Sequence, residues 1–134
     1  MKKLLLLCFL VLAFSCSKDD DTATTDSPFP KTTTMKFEVD LTTVRDANIT
    51  TTINDVEVLE LSSTANFSKS YENIVVSLQT VFKLEYVDIS PMPFQPYEAT
   101  LKILDIDNIV KSQNFSVTEQ GQILEIEYMF SEDN

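Results

Sequence analysis

Met35-Lys36-Phe37-Glu38-Val39-Asp40-Leu41-Thr42 alternates apolar and polar side chains without a break. Successive side chains of an extended chain point to opposite faces. The stretch therefore has one apolar and one charged face, and it reads as a half-buried antiparallel strand. Ile74, Val76, Leu78, Phe82, Leu84 and Tyr86 share a face in the same way, with Ser77, Gln79, Lys83 and Glu85 opposite. Leu124, Ile126, Tyr128 and Phe130 alternate with Glu125, Glu127 and Met129. Weaker runs lie at 49–53, 56–61, 97–103 and 109–117. The sum is about seven strands over roughly 100 residues, which predicts an all-β, antiparallel immunoglobulin-like β-sandwich.

Turn-forming residues fall where the strands stop: Arg45-Asp46-Ala47-Asn48, Asn54-Asp55, Ser70 to Asn73, the Pro91/Pro93/Pro96 loop, Asp105 to Asn108, and Glu119-Gln120-Gly121. With one Gly in the chain, Asn and Asp must fill most positive-φ positions. Val56-Glu57-Val58-Leu59-Glu60-Leu61 reads as a strand rather than a helix. The large side chains expected inside are Phe37, Phe67, Phe82, Phe115, Tyr128 and Phe130. Each buries roughly 150–250 Å², enough in sum to hold a domain without a disulfide.

The chain has 134 residues, 21 acidic and 10 basic side chains, two Cys and no His. That length holds one core. Without His, a His-assisted nucleophile or a His-bearing metal site is excluded. A formal charge of −11 argues against nucleic acid as a partner, because phosphate binding needs clustered Lys and Arg. No cofactor is implied.

The first residues read as an address. Lys2 and Lys3 precede an apolar run from Leu4 to Phe14. A membrane-spanning helix needs roughly 20 residues, so the run is too short to span and reads as the core of a signal peptide, residues 1–15. Residues 16–34 are rich in Asp, Thr and Ser and form a tether, with Phe29 its one large apolar side chain. As a coil it reaches on the order of 25 Å. The domain then occupies 35–134.

Ala13-Phe14-Ser15-Cys16 resembles a bacterial lipobox. The resemblance implies cleavage before Cys16 and attachment of a diacylglycerol to its thiol. Two or three acyl chains anchor a protein stably where one holds weakly. Ser17-Lys18-Asp19-Asp20-Asp21 follows, and the whole start resembles that of Bacteroidota surface lipoproteins. In that group Lys18, Asp19 and Asp20 would be an export signal to the outer leaflet of the outer membrane. Cleavage removes Lys2 and Lys3 and takes the formal charge from −11 to −13.

Catalytic constellations are sparse. Ser68-Lys69-Ser70 and Lys111-Ser112 are the nearest approach to a Ser–Lys pair, and polar loop residues explain them better. Glu125 and Glu127 share a strand face about 7 Å apart, and a solvated face is the better reading. Asp105, Asp107 and Asn108 form a calcium-like cluster that lacks the spacing of an EF-hand loop, so a plain acidic turn is favoured. The loop from Ile89 to Tyr97 is the most unusual segment. Its three Pro would hold Met92, Phe94 and Tyr97 rigid as a contact surface. In the competing reading Phe94 plugs the open end of the core.

These observations lead to a non-catalytic, lipid-anchored cell-envelope module. Its partners would be the membrane, through the anchor, and an envelope or extracellular protein or glycan. The alternative is a carrier whose strands close into a barrel around an apolar ligand.

Overall fold

The computed structural model describes residues 29–131. Eight strands follow one another: β1 (Lys31–Leu41), β2 (Ala47–Ile53), β3 (Val56–Ser62), β4 (Asn66–Val76), β5 (Val81–Asp88), β6 (Tyr97–Asp105), β7 (Asn108–Val117) and β8 (Ile123–Met129). They form two four-stranded antiparallel sheets. The first has the order β4-β1-β6-β7 and the second β3-β2-β5-β8. Their inner faces share one core, in which Phe37 of the first sheet meets Phe82 of the second at 6.4 Å between ring centres. The protein is an all-β sandwich. The barrel required by the carrier alternative is not formed, because the sheets have separate edges.

Three of the six strand pairings follow the immunoglobulin pattern, and the other three depart from it. In that fold the second strand lies beside the fifth, and the third beside the sixth. Here β1 lies beside β4, β2 beside β5, and β8 on the outer side of β5. The β6–β7 hairpin fills the flank of β1 where an immunoglobulin sandwich has its first strand. The chain therefore leaves the second sheet after β5, builds that hairpin in the first, and returns as β8.

The alternation at 35–41 lies in β1 as expected, and Met35, Phe37 and Val39 are buried. β1 starts earlier than the pattern suggested, at Lys31 instead of Met35. Its β-branched Thr residues suit an extended chain, and Lys31, Thr32 and Thr33 pair with Val76, Val75 and Ile74. Phe29 docks edge-on against Phe130, 5.7 Å between ring centres. Phe29 and Pro30, read as part of the tether, thus lie against the domain.

The eighth strand comes from a segment read as one. Residues 74–86 are the end of β4 and most of β5, in different sheets. The link at 77–80 is closed by Thr80 N–H donating to Ser77 O at 3.1 Å and Ser77 N–H donating to Thr80 Oγ1 at 2.9 Å. Leu78 lies in this link, not on a strand face. The turn expected at Ser70 to Asn73 is instead a bulge within β4. Glu72 and Asn73 together face Thr34, and Asn73 takes a positive φ of 56°. Phe37, Phe82 and Phe130 are in the core, whereas Phe67, Phe115 and Tyr128 are only partly buried. Those three lie on β4, β7 and β8, all edge strands.

The strand directions give the sandwich two ends. The chain enters β1 at one end, beside the 54–55, 77–80 and 106–107 links. The 42–46, 63–65, 89–96 and 118–122 loops gather at the other. Eleven residues of β1 separate the ends by about 35 Å.

Candidate functional site at the loop end

β5 carries Phe82, Leu84 and Tyr86 inward, and Asp88 is the next inward position. A carboxylate is thereby delivered to the top of the core, where it is fully buried. Burying an ionised carboxylate is tolerated only with pairing and hydrogen bonds. Asp88 has both. Tyr97, the first residue of β6, donates its hydroxyl to Asp88 Oδ2 at 3.0 Å, and Ser90 donates its N–H to Oδ1 at 2.8 Å. Arg45, from the 42–46 loop, places Nε 3.4 Å from Oδ2.

Arg45 is held by more than charge. Its guanidinium carbon is 4.8 Å from the Tyr97 ring centre and 5.1 Å from that of Phe94, within cation–π range. One terminal nitrogen donates to the Gln95 carbonyl at 2.6 Å. Ser90 ties neighbouring loops together: its hydroxyl accepts the Asp46 N–H at 2.8 Å, and its carbonyl accepts from Gln120 Nε2. Burial pushes the Tyr86 phenol up to about 12, and burial together with the hydrogen bond it donates to Asp88 raises Tyr97 further. Both phenols are neutral across the physiological range.

This arrangement divides the three residues read as a contact surface. Met92 is 70% exposed, Phe94 is half-buried beneath Arg45, and Tyr97 is 5% exposed with its ring in the core. Tyr97 is therefore no surface anchor: as the first residue of β6 it points inward, toward Tyr86 and Asp88. Phe94 caps the core end. Only Met92 is presented to solvent, with Val44 and Ile89 the other exposed apolar residues of these loops. A shallow pocket of about 200 Å³ opens beside them, lined by Thr42, Thr43, Arg45, Gln95 and Tyr97 among others.

The remaining candidates are dispersed. Strand alternation puts Lys69 on the inner side of β4, bonded to Glu60 at 2.5 Å, and leaves Ser68 and Ser70 exposed outside, so no Ser–Lys pair forms. Lys111 and Ser112 likewise take opposite faces of β7. Glu125 and Glu127 are exposed on the outer face of β8. Asp105 engages Lys31 at 2.9 Å and Thr33 with its two oxygens, while Asp107 and Asn108 are exposed at the hairpin tip. Among the described residues, no three His, Cys, Asp or Glu side chains group as metal ligands. Cys16, Lys18, Asp19 and Asp20 lie outside the described residues.

Sequence reading missed the Arg45–Asp88 pair and its phenols. One signal was present: Asp88 continues the inward series of Phe82, Leu84 and Tyr86. The chain matches no protein-family model, no curated protein and no solved structure.

Proposed function

We propose that the chain is a non-catalytic lipoprotein of the cell envelope, anchored in the outer membrane through Cys16 and exposed on its outer surface, and that it works by binding another protein. The observation that carries the non-catalytic reading is the state of Asp88. The one fully buried carboxylate among the described residues is engaged by Arg45, Tyr97 and Ser90. Its neighbours are phenols held neutral by burial, so this end offers no base for a nucleophile. Its polar groups hold three loops in place.

The lipobox-like Ala13-Phe14-Ser15-Cys16 supports the anchor. The geometry suits display. The tether joins at the β1 start, so the 89–96 loop lies about 35 Å further along the sandwich.

The test is metabolic labelling with a fatty-acid probe. The unmodified chain takes up label, and Cys16→Ser abolishes it. A variant that is still labelled overturns the anchor. Replacing Lys18, Asp19 and Asp20 with Ala keeps the label and lowers cleavage by external protease; unchanged cleavage overturns the export role.

A further inference from the structure

The outer faces of the two sheets differ sharply. On the first sheet, both outward lysines engage carboxylates. Lys36 meets Glu38 at 2.5 Å, and Lys102 meets Asp40 at 2.6 Å and Glu38 at 3.9 Å. Serines surround them: Ser70 is opposite Lys36, Ser68 opposite Glu38, and Ser112 opposite Lys102. The exposed apolar side chains of this face, Val75 and Ile109, lie apart on the two edge strands, and its charges are satisfied by water and by each other.

The second sheet is not. Its register lines up Leu61, Asn48, Val87 and Ile123 across all four strands. Leu61 is 77% exposed and Ile123 65%. Two residues along each strand lies the next row, Leu59, Thr50, Glu85 and Glu125. Glu85 and Glu125 are direct cross-strand neighbours, and like charges so placed destabilise a sheet. Lys83 is the only cation of this face, and Glu127 holds it at 3.1 Å. Leu59 and Leu61 also lie on β3, an edge strand, where exposed apolar side chains invite pairing with other chains. The paired carboxylates cost the isolated domain stability, the exposed edge leucines leave it open to pairing, and neither feature serves its core.

We propose that the outer face of the β3-β2-β5-β8 sheet is the binding surface, and that its partner is a cationic protein segment with apolar and basic side chains on one face. Charge complementarity selects this occupant. A second copy of the chain, itself at −11, would bring carboxylates against carboxylates. The row spacing sets the pattern. On β5 and β8 the apolar pair Val87 and Ile123 and the carboxylate pair Glu85 and Glu125 lie about 7 Å apart, which matches residues i and i+2 of an extended segment. The inference rests on the binding role proposed above and names the surface and partner class for it.

The test uses the full mature chain, residues 16–134, carrying Cys16→Ser so that no detergent is needed. The probe is an octapeptide repeating Leu-Ser-Lys-Ser, which puts Leu and Lys on one face. Controls replace every Lys by Glu or every Leu by Ser. Calorimetry is expected to show saturable binding of the probe alone. Affinity should fall about tenfold in the Glu85→Gln/Glu125→Gln variant, as also in Leu61→Ser/Ile123→Ser. Glu38→Gln/Asp40→Asn on the other sheet should change nothing, and melting temperatures verify folding of each variant. The proposal is overturned if no peptide binds, if the Leu-free peptide binds equally well, or if the Glu38/Asp40 variant weakens binding as much. Self-association in sedimentation that Leu61→Ser abolishes overturns it in favour of a second copy. The labelling experiment reads the anchor independently of all these results.

Discussion

The hydroxyls of Tyr86 and Tyr97 meet at 2.7 Å across the gap between the two sheets. A phenol has one hydrogen to give. Tyr97 gives its own to Asp88, so the shared bond runs from Tyr86 to Tyr97. A relay of polar atoms thus passes from the core to the buried carboxylate, with Arg45 closing it from the other side. It joins β5, β6 and two loops at one point.

The relay should make the domain sensitive to alkali. Tyr86 is raised to about 12 and Tyr97 higher, in both cases chiefly by burial. In the unfolded chain both titrate near about 10. Between these values the unfolded state releases protons that the folded state keeps, so stability falls as pH rises. The contribution is whole below about pH 10, and it declines by about 1.4 kcal/mol per pH unit for each phenol above that. Urea unfolding across this range measures the slope. Tyr86→Phe should remove one phenol's share, and an unchanged slope in that variant would contradict the burial of this phenol.

A second expectation separates Phe94 from Met92. Phe94 is half-buried, with Arg45 over its face and Tyr97 at 6.1 Å. Fully buried Phe→Ala changes cost about 3–5 kcal/mol, so Phe94→Ala should cost about 2. Met92 is exposed at the loop tip, and Met92→Ser should stay within about 0.5 kcal/mol. Thermal melts of the two variants decide this. Equal, small effects would mean that Phe94 does not cap the core.

Much of this fold was legible because period-two alternation is a local signal. It marked β1, β5 and β8 directly, and it put Glu125 and Glu127 on the outer face where they lie. It failed at β4 for a specific reason. The bulge at Glu72 and Asn73 turns both Tyr71 and Ile74 inward at a spacing of three, which breaks the period. It also concealed the sheet change between Val76 and Val81. The link there has four residues, an even number, so the inward series resumes in phase beyond it. The loop-end site was legible only in part. Asp88 could be noticed as a charge in an apolar series, but Arg45 reaches it from a loop 43 positions earlier, and no local pattern carries that pairing.

The register of β8 gives a third expectation. Ile126 is opposite Leu84 and faces the core, while Glu127 is opposite Lys83 on the outer face. Ile126→Asp buries an unpaired carboxylate and should destabilise the domain by about 4 kcal/mol or more. Glu127→Gln loses one exposed ion pair, within about 0.5 kcal/mol. Denaturant titration of both variants measures the contrast, and a one-residue slip of β8 would reverse the order.

The face proposed for binding makes a fourth prediction that needs no partner. Glu85 and Glu125 are direct cross-strand neighbours, so removing one charge should relieve repulsion. The two sites are not equivalent. Glu127, opposite Lys83, and then Glu125, on the neighbouring strand, raise the Lys83 ammonium. Glu85→Gln therefore removes repulsion and leaves the attractions of Lys83 in place. It should stabilise the domain by about 0.5 kcal/mol, a rise of roughly 2–4 °C in Tm. Glu125→Gln removes the same repulsion but also one attraction on Lys83, so its gain should be smaller. Both gains should shrink in about 1 M salt, where the screening length falls to about 3 Å. Melting curves of the three proteins at low and high salt test the ordering. If Glu85→Gln lowers Tm, the two carboxylates are not opposed as the register places them, and the charge-complementarity argument loses its footing. If it raises Tm while weakening the Leu-Ser-Lys-Ser peptide, the same residue opposes folding and favours binding, as a carboxylate kept for a partner should.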